Sequence, residues 1–255
     1  MRVSVLGCSG GIGAGLRTTS LLLDERVLID AGTGMCDLPL EALIKLRHIF
    51  VTHSHLDHIA GIPLLVDTVF DQLDTPITIH GRRETLQALR DHVFNNVIWP
   101  DFTRIPNGNT PVLRYQEMMP GELRTIGDCT LEMLPVNHVV PAVGYRVSGP
   151  DDAALAFSGD TTSNDEFWGA LNRHPSLNVL IVEAAFPDED LEIARLAHHY
   201  CPSLLSRDMA KLHHQPRVYV THLKAGGEEE ILRQCRQAMP ERAIEPLVQG
   251  AVFDL

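Results

Sequence analysis

Four side chains of metal-binding type fall within six residues of this sequence: His53, His55, Asp57 and His58. The apolar residues 49–51 before them favour a buried strand, and the residues from Leu56 onward favour a helix. His53 and His55 are two apart, so an extended backbone would point both side chains the same way. Three imidazoles and one carboxylate suit Zn²⁺, Mn²⁺ or Fe, and suit a pair of ions better than one tetrahedral ion. The alternative interpretation is a solvated, histidine-rich turn without ligands.

Three further candidate ligands follow other predicted strands. A pair of ions needs about seven or eight ligand groups, counting shared ones, so the cluster at 53–58 is insufficient alone. His138, Asp160 and His222 each come just after an apolar strand. Because loops at one edge of a sheet converge, we predict that these three residues complete a dinuclear metal site.

Apolar runs separated by turn residues indicate the elements that must position these side chains. Strands are predicted at 1–6, 19–23, 26–29, 48–52, 75–80, 153–157, 179–182 and 217–220, with several short ones between 112 and 147. Helices are predicted at 41–47, after His58, and at 82–94, 202–212 and 228–239. No linker, composition break or repeat divides the chain. We therefore predict one α+β domain over residues 1–255, with two sheets packed together and helices outside.

The glycine-rich loop Gly7–Gly15 matches no nucleotide-binding motif. It lacks the Gly-Lys-Ser/Thr of a P-loop and the G-x-G-x-x-G spacing of a dinucleotide site. Two interpretations stay open, a tight loop beside the metal cleft and a turn that merely needs positive φ.

Composition narrows the class of partner. The formal net charge is −12 over 255 residues, which disfavours nucleic acid because duplex or tRNA binding uses Lys and Arg contacts to phosphate. A small phosphate ester remains compatible, since two bound dications would make the cleft locally positive.

The five cysteines form no C-x-x-C pair, which favours a reducing compartment. There is no signal-peptide pattern and no apolar run near 20 residues, so we expect a cytoplasmic protein without a membrane partner. The sequence leaves the oligomeric state open, including a homodimer.

The pattern His53-x-His55-x-Asp57-His58, followed by His138, Asp160 and His222, resembles the metallo-β-lactamase-fold hydrolases. The resemblance covers nearly the whole chain and implies a four-layer αββα sandwich with two divalent metal ions. Zn²⁺ is the expected metal, with Mn²⁺ or Fe as alternatives. By matching positions, it implies that one ion is held by His53, His55 and His138. It assigns Asp57, His58 and His222 to the other ion and makes Asp160 the bridge.

Within that superfamily, the segment His53-Ser-His-Leu-Asp-His-Ile-Ala-Gly61 resembles the signature of the class II 3′,5′-cyclic-nucleotide phosphodiesterases. The segments at 6–11, 94–100 and 221–224 are also similar to theirs. The resemblance implies hydrolysis of cyclic AMP, cyclic GMP or both to 5′-nucleotides, with a metal-bridging hydroxide attacking phosphorus in line. The substrate expected is thus a small-molecule phosphodiester.

An alkoxide leaves poorly, so a proton donor would help the reaction. The family's Gly-His-Leu-Thr-Pro segment corresponds to His198-His-Tyr-Cys-Pro202, with His198 in place of the glycine and Tyr-Cys in place of Leu-Thr. This makes His199 the candidate donor, with His198 as the alternative if the alignment shifts by one. Asp57 and His199 are the predicted catalytic residues.

Other residues have weaker support. Four residues near strand ends are predicted to accept hydrogen bonds from ligand imidazoles, with an ordinary turn role as the alternative: Asp30, Thr52, Ser54 and Glu183. Three aromatic residues could stack on a purine, with core packing as the alternative: Trp99, Phe102 and Trp168. The substrate-binding residues are otherwise unknown.

Other functions use the same residues. A tRNA 3′-end endonuclease of this fold would share all seven ligands, but the sequence lacks that family's glycine-rich basic arm. A thioesterase or lactonase could use the same hydroxide. A non-catalytic metal-binding sensor would predict missing ligands, and a diiron oxygen-chemistry protein would usually need a flavin domain.

Overall fold

Fourteen strands form the centre of the molecule, and the computed structural model describes all of residues 1–255. In chain order they are β1 (Arg2–Gly7), β2 (Ser20–Leu23), β3 (Val27–Ile29), β4 (His48–Phe50), β5 (Ile77–Gly81), β6 (Leu113–Glu117), β7 (Leu123–Ile126), β8 (Cys129–Pro135), β9 (Val143–Ser148), β10 (Ala154–Phe157), β11 (Val179–Glu183), β12 (Arg217–Thr221), β13 (Ile244–Pro246) and β14 (Val252–Asp254). They make two seven-stranded sheets, in the orders β14-β1-β2-β3-β4-β5-β6 and β13-β12-β11-β10-β9-β8-β7.

Eight helices connect the strands. They are α1 (Leu40–Leu43), α2 (Leu56–Ile59), α3 (Gly61–Val69), α4 (Arg83–His92), α5 (Glu166–Asn172), α6 (Leu191–Leu196), α7 (Pro202–Met209) and α8 (Glu228–Ala238). Two short 3₁₀ helices lie at Thr33–Asp37 and Asp188–Asp190. None of these helices is both long enough and apolar enough to cross a membrane.

Each sheet contains a parallel half that sets the position of the loops. Strands β3 to β6 pair in parallel in one sheet, and β10 to β13 pair in parallel in the other. The carboxyl ends of parallel strands lie at the same edge of a sheet, where the loops that follow them can meet. The antiparallel strands β1, β2 and β9 extend these halves.

Three apolar layers hold the sheets and helices together. Between the two sheets lie inward-facing residues such as Leu21, Phe50 and Tyr145. Helices α3 and α4 cover the outer face of the first sheet, while α5, α7 and α8 cover that of the second through residues such as Trp168 and Leu205. Burying one large apolar side chain contributes roughly 1.5–3 kcal/mol to folding. This arrangement confirms the predicted α+β class and the four-layer αββα sandwich.

The predicted elements agree best where the apolar pattern is long. The hairpin of β2 and β3 and the strand before His53 lie where predicted. Helix α1 ends at Leu43, well short of the predicted residue 47, and α5, α6 and β13 were not predicted. Those three elements have seven residues or fewer, which is too short to display a period. One domain over residues 1–255 stays a prediction.

Candidate metal centre

The seven predicted ligands meet at the carboxyl ends of strands from both sheets. His53 follows β4 and lies before α2, which carries Asp57 and His58. His138, Asp160 and His222 follow β8, β10 and β12. Two groups of ligand atoms result, each within 4.8 Å across: His53, His55, His138 and Asp160 in one, and Asp57, His58, His222 and Asp160 in the other.

Asp160 lies between the two groups. Its Oδ2 is 3.4 Å from Nε2 of both His58 and His222, and 3.7 Å from Nε2 of His53. On one side, Nε2 of His138 faces Nδ1 of His55 at 3.3 Å. The shared carboxylate is therefore in a bridging position, as the resemblance implies.

The polar atoms of the cluster fit a pair of divalent cations. Nε2 of His53 and Nε2 of His58 are buried without a hydrogen-bond partner. A buried polar atom left unpaired costs about 1–3 kcal/mol, so such atoms in a native fold require an explanation. Ring nitrogens that converge on one carboxylate without donors between them suit metal ions.

Burial favours the neutral form of two of these histidines, His138 and His222. Burial and the neighbouring imidazoles lower the pKa of His222 to about 3, and burial lowers the pKa of His138 to about 4. The neutral imidazole is the form that binds a metal ion. Burial raises the pKa of Asp160, but the surrounding imidazoles hold it well below its usual value, which favours the carboxylate.

Hydrogen bonds at the far side of the rings fix their orientation. Nδ1 of His58 lies 2.7 Å from Oδ2 of the buried Asp30, and Nδ1 of His53 lies 3.0 Å from Oγ1 of Thr52. Thr52 in turn donates both its N–H and its Oγ1–H to Asp30. These contacts confirm two of the four predicted acceptors, and such partners hold ligand rings in place. Ser54 makes no hydrogen bond to an imidazole.

Glu183 pairs with His199 rather than with a ligand imidazole, which corrects the predicted contact. Nδ1 of His199 lies 2.7 Å from Oε1 of Glu183, whose carboxylate also accepts N–H donors from Thr161, Ala185 and Tyr200. The His199 ring packs 5.0 Å from that of His138 and 5.2 Å from that of His222, centroid to centroid. Burial lowers the pKa of His199, but the Glu183 carboxylate outweighs this and raises it.

His198 occupies a different place from its neighbour. Its ring nitrogen Nδ1 lies 3.2 Å from Oδ1 of Asn137, away from Glu183. Its backbone carbonyl accepts a hydrogen bond from Nδ1 of His138 at 3.0 Å. No sequence signal indicates this carbonyl contact, because backbone partners depend on loop conformation.

Three residues of the site have left-handed backbone conformations: Asp30, His198 and His222, with φ of 58°, 53° and 59°. Positive φ costs a non-glycine residue on the order of 1–3 kcal/mol and persists only where the surrounding structure enforces it. In each case the conformation places a side chain or carbonyl at the metal centre.

The glycine-rich loop after β1 lies against the last predicted ligand, which favours the first of the two interpretations. Cys8 accepts hydrogen bonds from the N–H of His222 and from Oγ1 of Thr221 at 2.9 and 3.0 Å. A Cβ at Gly10 would lie 2.4 Å from the carbonyl oxygen of His222, closer than any side chain permits. Only glycine therefore fits beside the strand end at this point.

The aromatic candidates for stacking belong mainly to the core. Trp168 is 1% exposed and donates to the hydroxyl of Tyr200, and Phe102 is 3% exposed and packs near Phe70. Packing is thus the role of both, and they do not stack on a ligand. Trp99 is half-buried against the same apolar layer as Phe102.

Comparison with known families agrees with the fold and the site. A family model described as "Beta-lactamase superfamily domain" matches residues 25–244. The chain therefore belongs to the β-lactamase superfamily, and its structure is a metallo-β-lactamase fold.

Several curated relatives with similar sequences are named as phosphodiesterases or ribonucleases. It is 27% identical over 177 residues to "Probable 3′,5′-cyclic-nucleotide phosphodiesterase" from Yersinia pestis, an alignment covering 64% of this chain and 50% of that protein. It is 42% identical over 119 residues to "3′,5′-cyclic-nucleotide phosphodiesterase 1" from Saccharomyces cerevisiae, covering 46% and 31%. It is 28% identical over 162 residues to "Ribonuclease BN" from Cronobacter sakazakii, covering 59% and 50%. The chain spans about half the length of the first curated relatives.

Solved structures support the same fold. Unliganded yeast PDE1 superposes with a TM-score of 0.83 at 20% identity, over 100% of this chain and 99% of that one. The short form of human tRNase Z superposes with a TM-score of 0.71 at 18% identity, over 100% and 99%. The predicted resemblance to metallo-β-lactamase-fold hydrolases and cyclic-nucleotide phosphodiesterases is confirmed.

Proposed function

We propose that this protein is a metal-dependent phosphodiesterase that hydrolyses 3′,5′-cyclic nucleotides, cyclic AMP, cyclic GMP or both, to 5′-nucleotides. The observation that carries the proposal is the pair of ligand groups sharing Asp160, with the His199–Glu183 pair beside them. Cyclic-nucleotide phosphodiesterases among the similar proteins support the substrate class.

In this proposal, one ion would be held by His53, His55 and His138 and the other by Asp57, His58 and His222, with Asp160 available to both. Two divalent ions, Zn²⁺ first and Mn²⁺ or Fe as alternatives, would activate water and neutralise charge on the phosphoryl oxygens. Asp57 is the more exposed carboxylate of the cluster, with 31% of its side chain accessible against 3% for Asp160. It accepts no hydrogen bond from the protein, so it can orient the attacking water.

His199 has the surroundings that a proton donor needs. The Glu183 carboxylate accepts a hydrogen bond from Nδ1 of His199, which leaves Nε2 as the nitrogen that can donate a proton to the substrate. The carboxylate favours the protonated ring, and protonating the 3′ oxygen of ribose would assist its departure. His198, held against Asn137, lacks such a carboxylate.

Relatives named ribonuclease make RNA 3′-end processing the second candidate. The net charge of −12 argues against it, because tRNA binding depends on cationic surface. A thioesterase or lactonase could use the same residues. A cytoplasmic location and a homodimer stay predictions.

Product analysis by chromatography tests the proposal. Metal-loaded protein is incubated with cyclic AMP and cyclic GMP, in parallel with His55→Ala and with wild type treated with a chelator. We expect the 5′-nucleotide from wild type alone. Cleavage of a precursor tRNA without turnover of either cyclic nucleotide would replace the substrate with RNA. Hydrolysis of thioesters or lactones alone would replace the reaction, and no hydrolysis at all would favour a metal-binding sensor.

A further inference from the structure

Lys224 is one of only three lysines in the chain, and its surroundings differ from those of the other two. Lys45 pairs with Glu25 at 3.0 Å, and Lys211 pairs with Asp208 at 2.7 Å. Lys224 has no carboxylate within ion-pair distance, and its one hydrogen bond runs from Nζ to the carbonyl oxygen of Gly10 at 3.1 Å. An ammonium group has three N–H donors, so two remain for another acceptor.

The contacts of Gly10 place this ammonium beside the metal centre. Gly10 lies against both the backbone and the ring of His222, and a Cβ there would come 3.2 Å from the ring carbon Cδ2. The group that binds the Gly10 carbonyl is therefore next to a predicted metal ligand. In a chain of net charge −12, an unpaired cation at this point marks a place for an anion.

Phe186 joins Lys224 to the candidate proton donor. Nζ of Lys224 lies 5.8 Å from the centre of the Phe186 ring, and that ring lies 5.7 Å from the His199 ring in an edge arrangement. Phe186 and Lys224 are both partly exposed. One continuous wall, which we name the 186–224 wall, thus combines an apolar ring and a cation next to His199.

We propose that the 186–224 wall recognises the substrate: Lys224 donates to a non-bridging phosphoryl oxygen, and Phe186 packs against the nucleoside. A phosphodiester carries one negative charge next to its sugar, so an ammonium and an aromatic ring at this separation match its two parts. The proposal deepens the proposed function and rests on it. The competing explanation is that Lys224 only ties the glycine-rich loop to the end of β12.

Two substrates and two variants separate these explanations. Cyclic AMP has both a phosphodiester and a nucleoside, whereas bis(p-nitrophenyl) phosphate has a phosphodiester without a sugar or a base. Lys224→Met keeps the length of the side chain and removes its charge, and Phe186→Leu keeps apolar bulk and removes the ring. Lys45→Met, far from the cluster in an exposed ion pair, is the matched control.

For Lys224→Met we expect KM to rise about 10-fold or more for both substrates, with an unchanged melting temperature. For Phe186→Leu we expect KM to rise about 5- to 100-fold for cyclic AMP and less than about 2-fold for bis(p-nitrophenyl) phosphate. An unchanged KM in Lys224→Met, or a lower melting temperature with equal loss of kcat on both substrates, would overturn the recognition role. Lys224 would then only connect the glycine-rich loop to the end of β12. Equal effects of Phe186→Leu on both substrates would overturn nucleoside contact.

Calorimetric titration with 5′-AMP separates failure of this inference from failure of the proposed function. If wild type hydrolyses bis(p-nitrophenyl) phosphate but neither cyclic AMP nor cyclic GMP, the proposed function is wrong and Phe186 loses its role, while Lys224 is still judged by KM for bis(p-nitrophenyl) phosphate. If none of the three is hydrolysed, weaker 5′-AMP binding by both variants than by Lys45→Met supports the wall. Equal binding by all of them overturns it.

Discussion

His199 shows how one side chain can be separated in role from the ligands that surround it. Its ring packs against two predicted ligands, yet its Nδ1 is held by Glu183, a carboxylate that also receives three backbone N–H groups. Those backbone bonds hold the carboxylate in place, so it orients the imidazole firmly. Nδ1 of His58, a predicted ligand, is held by Asp30 in the same way. What sets His199 apart is therefore its position outside the two groups of predicted ligands.

Replacing His199 should therefore affect substrates according to their leaving groups. For His199→Gln we expect kcat for cyclic AMP to fall about 10²- to 10⁴-fold, because an alkoxide needs a proton. Hydrolysis of bis(p-nitrophenyl) phosphate should change by less than about 5-fold, since nitrophenolate leaves without protonation. Steady-state kinetics on both substrates measures the difference.

His198→Asn provides the comparison, because asparagine tolerates the positive φ of this position. Its kcat on both substrates should stay close to that of wild type. Equal losses on the two substrates in His199→Gln would remove the proton-donor role, and a selective loss in His198→Asn would move that role to the neighbouring residue.

Individual residues of the centre were predictable to different degrees. The seven ligand positions follow from residue type and from their location after strands, and the structure brings all seven together. The pairing of Glu183 with His199 was not predictable, because α6 and a 3₁₀ helix intervene and both are too short to show a pattern. The carbonyl of His198 is beyond any sequence signal, since every residue has one.

At the scale of elements, the glycine-rich loop after β1 packs against the end of the strand that precedes His222. Its first half lies against the end of β12, where Gly10 touches the backbone of His222. Gly11, its neighbour, has only the Cβ of Ala225 near, at 4.0 Å. The loop is predictable as a loop from its glycines, but which glycine is required depends on the opposite sheet.

This contrast yields a matched pair of variants. For Gly10→Ala we expect the free energy of unfolding to fall by about 1–3 kcal/mol, because the new methyl group must displace backbone. Activity should fall as well, since His222 moves. For Gly11→Ala the change should be within about 0.5 kcal/mol. Urea denaturation and metal content after dialysis measure both effects; equal stability of the two variants would contradict the observed contact.

At the scale of the whole molecule, a buried histidine on the first sheet, paired with a half-buried one, makes the free energy of unfolding depend on pH. His80 is 4% exposed, stacks on Phe50 with ring centres 4.2 Å apart, and faces Nδ1 of His48 at 3.0 Å. Burial, with smaller effects of His48 and Arg124, lowers the pKa of His80 from 6.5 to about 3. His80 therefore binds a proton near pH 6.5 in the unfolded chain but only near pH 3 in the folded protein.

The contribution of His80 to the free energy of unfolding is fully present above pH 6.5 and is lost as the pH falls towards 3. Below pH 3 this contribution no longer changes with pH. Between pH 7 and pH 5 the loss should amount to about 2 kcal/mol. For His80→Phe, which keeps the stacking on Phe50, we expect a loss smaller by that amount. Urea unfolding of chelator-treated protein at both pH values checks this. His92→Gln, at an exposed position, should behave as wild type, and an unaltered pH slope in His80→Phe would contradict the assignment.

The contact between Cys8 and Thr221 joins positions 213 apart in the sequence. Contacts of such separation form late, because closing a long loop costs entropy before any interaction rewards it. During synthesis at about 5–20 residues per second, His222 emerges more than 160 residues after His58, a delay of roughly 8–30 s. For that time the nascent chain presents an incomplete set of histidines, so the proposed metal site can be completed only at the last stage of folding.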